Sequence, residues 1–372
     1  MSSEKVAGYV QCVVGIIFGV VTGGASIYVT IAMELLQVAV PYVLVTLGLQ
    51  RRPPKGGVDK AMAEAESVEA EVMKKPSKQQ RSFRALFIGI DYKGTPAELR
   101  GCQADAVMMA GTMEKIGIPI TERCVLMDTD DPRFNAIKPT RANILQHMAW
   151  LVKDAKPGDA LFLHYSGYGA QVRAEEDKEE EFDQCIVPCD YEENGCILDN
   201  ELHEIISTLP RGVRLTAVFD CSHAGTLLDL PFSLICSSND CSAVGEMKRI
   251  RTGGDVNAHV LMFSACGDDE AAADLPNAGD FVEGASGSGG AATQCFISML
   301  LNKTPGTIYS LLSTTRDKLR EKGFKQSPQM SASRCLSLTE KFTLTELFSV
   351  AEPCPNILTG EPRWKTTPLG GK

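Results

Sequence analysis

Two short turns hold the residues best suited to chemistry. Residues 160–170 read ALFLHYSGYGA, an apolar run that enters a glycine-flanked turn and leaves Tyr168 where the turn exposes a side chain. Residues 213–225 read VRLTAVFDCSHAG, a second apolar run that ends in Cys221, Ser222 and His223. Turns of this kind matter because, in an open parallel sheet, ligands bind outside the carboxyl ends of the strands. A tyrosine makes a poor base. Its pKa lies near 10, and bringing it to neutrality needs a shift of about three units, or roughly 4 kcal/mol. Serine has no comparable anion near neutral pH and needs a general base to take its proton. His223 adjoins Ser222, but adjacent side chains of an extended segment point apart, so its ring reads as structural. Cys221 reads as a buried thiol, His164 as a core group, and Tyr168 as a space-filling aromatic with a hydrogen-bonded hydroxyl. If the two runs are neighbours in one sheet, Tyr168 and the 220–225 turn share a cleft.

The surrounding pattern supplies such a sheet. FRALFIGID (83–91), RCVLMD (123–128), DALFLHYSG (159–167), QCIVPCD (184–190), VRLTAVFD (213–220) and HVLMFSAC (259–266) read as short buried strands. ELRGCQADAVMMAGTMEKIG (98–117), a helix capped by Thr140, a helix from Asp199, and two helices around 291–301 and 307–322 alternate with them. Short apolar runs alternating with helical segments imply an α/β domain, a central, mostly parallel sheet with helices on both faces. Residues 231–258 and 279–292 read as long loops.

At 372 residues the chain has room for one large or two ordinary domains, and 44% apolar with 23% charged residues describes a globular protein. A net charge of −10 argues against nucleic acid as a partner, since phosphate binding needs a basic face. The thirteen cysteines include no CxxC pair and read mostly as buried free thiols of a reducing compartment. Residues 1–50 are an apolar N-terminal segment. Within it, residues 6–33 carry no charge, are long enough to span a bilayer, and place glycines at 15, 19 and 23 on one helical face. Arg51, Arg52 and Lys55 follow, which would leave the remainder facing the cytoplasm. The other reading of 6–33 is an arm packed on a soluble cytoplasmic protein. Residues 51–80 read as a linker, 81–350 as the folded domain and 351–372 as an irregular tail.

HYSGYG and DCSHAG resemble the two signature turns of the metacaspases, caspase-like cysteine peptidases in which these turns read HYSGHG and DCCHSG. The order, the strand context and the FRALFIGI, KPGDALFLHYSG and VRLTAVFDC segments all match, over about residues 82–350, and the protozoan members are especially similar. The resemblance implies a caspase-like fold. It also implies that the family's general base and nucleophile positions are held here by Tyr168 and Ser222. A Cys–His pair works because imidazolium beside the thiol yields a thiolate; neither half of that pair stands here.

The family cleaves after Arg or Lys through an acidic S1 pocket, whose positions correspond to Cys102, Asp105, Ser166 and Asp220, all of the expected type. Taken singly, Asp105 could be a solvated helix face and Asp220 a strand-end cap. Together, two carboxylates could hold a guanidinium by charge-assisted bonds. Metacaspases are also generally calcium-dependent, and the resemblance maps calcium ligands onto Asp183, Asp199, Asn200, Glu201 and Asp229. Asn200 stands where the family prefers aspartate, so the site should be weakened, since calcium affinity follows carboxylate count. No organic cofactor is implied. The leading expectation is a catalytically inactive homologue (a pseudopeptidase) that binds an Arg- or Lys-bearing peptide or protein, or an active metacaspase relative. The alternative is an Arg/Lys-specific endopeptidase that uses Ser222 at low rate.

Overall fold

The computed structural model describes residues 81–346, apart from 175–181, 235–246, 252, 276, 284, 286 and 303–305. The apolar segment 6–33, the linker and the tail therefore lie outside the described residues. Among the described residues, no helix is long and apolar enough to cross a membrane.

The chain runs β1 (Phe83–Gly89), α1 (Cys102–Lys115), β2 (Glu122–Met127), α2 (Arg141–Val152), β3 (Ala160–Ser166), β4 (Gly169–Arg173), β5 (Phe182–Ile186), α3 (Tyr191–Asn194), β6 (Ile197–Leu198), α4 (Asp199–Ser207) and β7 (Arg214–Asp220). It continues through β8 (Phe232–Leu234), β9 (Met247–Arg249), β10 (His259–Ser264), β11 (Asp274–Leu275), β12 (Gly289–Gly290), α5 (Ala291–Leu301), α6 (Ile308–Glu321) and β13 (Gln329–Ala332). The main sheet has the order β2-β1-β3-β7-β10-β13-β8-β9. Its first five strands are parallel, and β13, β8 and β9 extend it by antiparallel pairing.

Each central strand alternates between two apolar layers, as its pleat requires. Along β3, Ala160 and Phe162 join Ala106 and Met109 of α1, Phe296 of α5 and Leu311 of α6. Leu161, Leu163 and Tyr165 join Ile144 and Met148 of α2 and Leu202 of α4. Helices thus cover both faces, as the alternating pattern predicts.

Four details differ from the reading of the sequence. Helix α1 starts at Cys102 rather than near 98, because the chain before it turns back and the Leu99 N–H donates to the Asp91 carbonyl at 2.7 Å. The segment 184–190 is not a main-sheet strand: β5 pairs antiparallel with β4 and β6 in a separate three-stranded sheet. The stretch 231–258 is not all loop, since β8 and β9 pair at the sheet edge. Likewise 279–292 holds β12, which pairs with β11, and the first turn of α5.

Candidate functional site

Strands β3 and β7 are hydrogen-bonded neighbours, and Ser166 lies directly opposite Asp220 at their carboxyl ends. The two turns therefore open side by side. Their approach is close enough that a Cβ on Gly169 would run into the carbonyl oxygen of Ser222 and touch the Cys221 sulfur at 3.0 Å. Only glycine fits there, which is the physical content of the second glycine in HYSGYG.

Tyr168 is half-buried and is held mainly by its backbone. Its N–H donates to the Tyr92 hydroxyl at 2.9 Å, and its carbonyl accepts from the Tyr165 hydroxyl at 2.7 Å and the Val187 N–H at 3.2 Å. Its ring packs tilted on that of Tyr92, with centroids 4.8 Å apart. Burial, and then the charge of Asp274, push its phenol above the ordinary value of 10. The ring is space-filling, as expected. The expected hydroxyl hydrogen bond is not made to any described residue, because a half-buried ring need not satisfy its hydroxyl within the protein. Tyr92 escaped notice in the sequence, although its place just after β1 puts it on the same sheet edge.

Ser222 is half-buried too, and its Oγ accepts a hydrogen bond from the Ala272 N–H at 3.1 Å. His223 takes a left-handed backbone, φ 55°, and its Nδ1 contacts the Asp268 carbonyl oxygen. Its ring is thus committed to the chain beyond β10 and makes no hydrogen bond to Ser222. Cys221 is fully buried, and burial pushes its thiol well above the ordinary value. His164 is fully buried on β3, with Nε2 3.2 Å from Thr293 Oγ1.

The four positions the resemblance assigned to the pocket lie at the carboxyl ends of β3 and β7 and the start of α1. Ser166 Oγ donates to Asp105 Oδ2 at 2.9 Å, and burial pushes the nearby Cys102 thiol well above its ordinary value. Asp105 and Asp220 are both buried, at 0% and 5% exposure, so neither is a solvated group. Burial, then the Asp220 charge, push Asp105 well above the usual carboxylate range; burial pushes Asp220 up to about 6. Their oxygens are engaged by the segment that opens α5. The Gly290 N–H donates to Asp105 Oδ2 at 2.8 Å, Gln294 Nε2 to Asp105 Oδ1 at 2.6 Å, and the Thr293 N–H to Asp220 Oδ2 at 2.7 Å. Gln294 is fully buried, and its Oε1 meets no hydrogen-bond partner among the described residues. The sequence pointed to none of these α5 contacts, because the separation of 185 positions from Asp105 to Gly290 is closed only by the fold.

The acidic positions after β5 are arranged differently. Asp199 is buried at the start of α4, and burial followed by the charges of Asp229 and Asp183 push it up to about 8. Its oxygens accept from the Gln184 and Asn200 N–H groups at 2.8 and 2.7 Å. Asp229 pairs with Arg251, whose Nη1 lies 2.6 Å from Oδ1. Glu201 is drawn to Arg141 at 2.5 Å and to the Leu198 N–H at 3.1 Å, while Asn200 is exposed. Among the described residues, no group of three or more His, Cys, Asp or Glu side chains could hold a metal ion.

Comparison with known proteins agrees with this architecture. Residues 83–231 match the family model described as the metacaspase, peptidase C14 domain. The chain is 49% identical over 331 residues to Metacaspase-3 of Trypanosoma brucei brucei, covering 88% of this chain and 92% of that protein. It is 48% identical to Inactive metacaspase-4 of the same organism, over 86% of this chain and 92% of that one. It is 46% identical to Metacaspase-3 of Trypanosoma cruzi (strain CL Brener), over 87% and 91%. With half of its residues shared along nearly the whole length of such relatives, and with the two signature turns set edge to edge on a caspase-like sheet, the chain belongs to the metacaspase family.

Proposed function

We propose that this chain is a catalytically silent metacaspase that binds an Arg- or Lys-bearing peptide, or an active relative, through its acidic pocket. One observation carries the reading. At the expected nucleophile position, Ser222 Oγ accepts from the Ala272 N–H and meets no imidazole, while the expected base is a tyrosine whose phenol lies above 10. Without a thiolate or a base, only binding and oxyanion stabilisation remain. The 48% identity to a protein named as an inactive metacaspase supports the same conclusion.

Two buried carboxylates repel one another in the pocket, and the Gln294 carbonyl beside them lacks a donor. A guanidinium would offset the repulsion and supply donors to all three groups. Gly290, Thr293 and Gln294 already engage three of the four carboxylate oxygens, so the ligand shares these oxygens with, or displaces, the donors at the start of α5. For calcium, the pairing of Asp229 with Arg251 and the neutral Asn200 support a weakened site that metal enters only by displacing Arg251.

A fluorogenic peptide ending in Arg or Lys, assayed with millimolar calcium, should show no turnover. The paired substitutions Tyr168→His and Ser222→Cys should confer cleavage on the same scaffold. Turnover by the unsubstituted protein that vanishes in Ser222→Ala would overturn the proposal in favour of a serine-based endopeptidase. Peptide binding should persist in the unsubstituted protein and disappear in Asp105→Ala.

A further inference from the structure

The one Asn-Gly pair in the sequence, Asn194–Gly195, closes the single turn of α3. Both residues are exposed, no side chain of α3 is buried, and a Cβ on Gly195 would meet nothing within 4 Å. The bonds that hold the turn are local. The Asn194 N–H donates to the Asp190 carbonyl at 3.0 Å, and the Gly195 N–H to the Tyr191 carbonyl at 2.9 Å. A lone turn without buried side chains opens at small cost. Gly195 has φ 75° and ψ −179°, a backbone that only glycine adopts readily, and its missing side chain leaves its nitrogen open to the neighbouring carboxamide. A second group holds that carboxamide back. Asn194 Nδ2 donates to Asp190 Oδ2 at 2.8 Å, while Asp190 Oδ1 accepts from the Arg141 N–H at 2.8 Å, at the start of α2. Asp190 lies one turn before Asn194, so its bond draws the amide toward the start of α3 and away from the Gly195 nitrogen.

We propose that Asn194 is a deamidation site whose rate Asp190 restrains and whose product loosens the joint of α2, α3 and β6. When the turn opens, the Gly195 nitrogen gives up its proton and attacks Asn194 Cγ. The new C–N bond closes a cyclic imide, the Cγ–Nδ2 bond breaks, and the amide nitrogen takes up a proton and leaves as ammonia. Water then opens the imide at either carbonyl, breaking one C–N bond and leaving aspartate or isoaspartate at position 194. The net change consumes one water and releases one ammonia, with no oxidant or reductant. Either product trades a donor for a carboxylate facing Asp190, and like charges four residues apart on a helix repel. The repulsion works against the oxygen that holds the Arg141 N–H. Isoaspartate also adds a methylene to the backbone just ahead of Ile197, which pairs with Ile186, and so strains the register of β6 on β5.

The experiment ages the full chain, kept reduced, at neutral pH and body temperature, then reads it by mass spectrometry after tryptic digestion. Asn194 falls on the fragment 179–211 together with Asn200, so fragment spectra must distinguish them. The expected product is altered at Asn194, with a hydroxyl in place of the amino group. It should carry label when ageing is done in heavy-oxygen water, and part of it should accept methyl groups from a protein isoaspartate methyltransferase. In Asp190→Ala the conversion should run severalfold faster, and in Asp190→Asn, which keeps the shape and an acceptor oxygen, it should fall between. Asn194→Asp, which carries one product from the start, should melt at a lower temperature than the unsubstituted protein. If Asn194 stays intact in the folded chain while a synthetic peptide of residues 188–200 converts, the site is overturned. Equal rates in Asp190→Ala and the unsubstituted protein would overturn the restraint, and an unchanged melting temperature in Asn194→Asp the loosening of the joint.

Discussion

Burial of His164 on β3 pushes its imidazole down to about 3 from an ordinary value of 6.5. The sign of its effect on stability follows. Below 6.5 the unfolded chain takes up a proton that the folded chain refuses, so stability is lost as pH falls from 6.5 toward 3. The slope from this one group is about 1.4 kcal/mol per pH unit. His164→Leu should therefore flatten the acid limb of denaturant-unfolding curves, and equal slopes in the two proteins would assign the acid sensitivity elsewhere. At Gly169 the constraint is steric. Gly169→Ala would drive a methyl into the Ser222 carbonyl, and overpacking of this kind costs about 1–3 kcal/mol. Its melting temperature should fall clearly, and an unchanged one would mean that the two turns can separate freely. His164 was legible in the sequence as a core residue. The orphaned Gln294 was not, since nothing in a local pattern says which helix N-terminus will face a distant carboxylate.

The decisive element pair is β3 and β7, whose parallel register brings Ser166 and Asp220 together and, one residue further, sets the two turns edge to edge. Strand and helix identities in this core were readable from apolar periodicity, because the strands are short, buried on both faces and separated by amphipathic segments. The sheet edge was not. β13, β8 and β9 are short antiparallel additions whose partners lie far away in sequence, so their pairing leaves no local trace. The loop after β9 delivers Arg251 to Asp229, where the side chains are only 10% and 2% exposed, so this ion pair is screened far less than a surface one. Removing the guanidinium takes away the counter-charge that Arg251 supplies to Asp229, whose charge already raises Asp199. Calorimetric titration with calcium should give little heat in the unsubstituted protein and measurable binding in Arg251→Ala. Equal affinity in the two would show that Arg251 does not compete with metal.

Across the described domain, two apolar layers clamp a sheet whose carboxyl edge carries the two signature turns, and the buried carboxylates Asp105 and Asp220 sit where α1, α5, β3 and β7 converge. That convergence excludes water from two like charges. Because Asp220 is raised from 3.8 to about 6, its contribution to stability is full below 3.8 and is lost as pH rises toward 6. A cationic ligand reverses the balance, since it binds the ionised pair. Benzamidine or an Arg-ended peptide should raise the melting temperature more on the alkaline side of pH about 6 than on the acid side. A pH-independent shift would place the ligand away from Asp105 and Asp220.

By itself the sequence determined the family, the alternating α/β core, and the tyrosine and serine in the two signature turns. These are properties of local residue type and order, and they survive without coordinates. Tertiary structure alone decided that the two turns touch, that the segment opening α5 hydrogen-bonds both Asp105 and Asp220, and that a guanidinium stands against Asp229. Each of these joins residues remote along the chain, and their meeting depends on which strands pair and how helices settle on the sheet rather than on any nearby pattern.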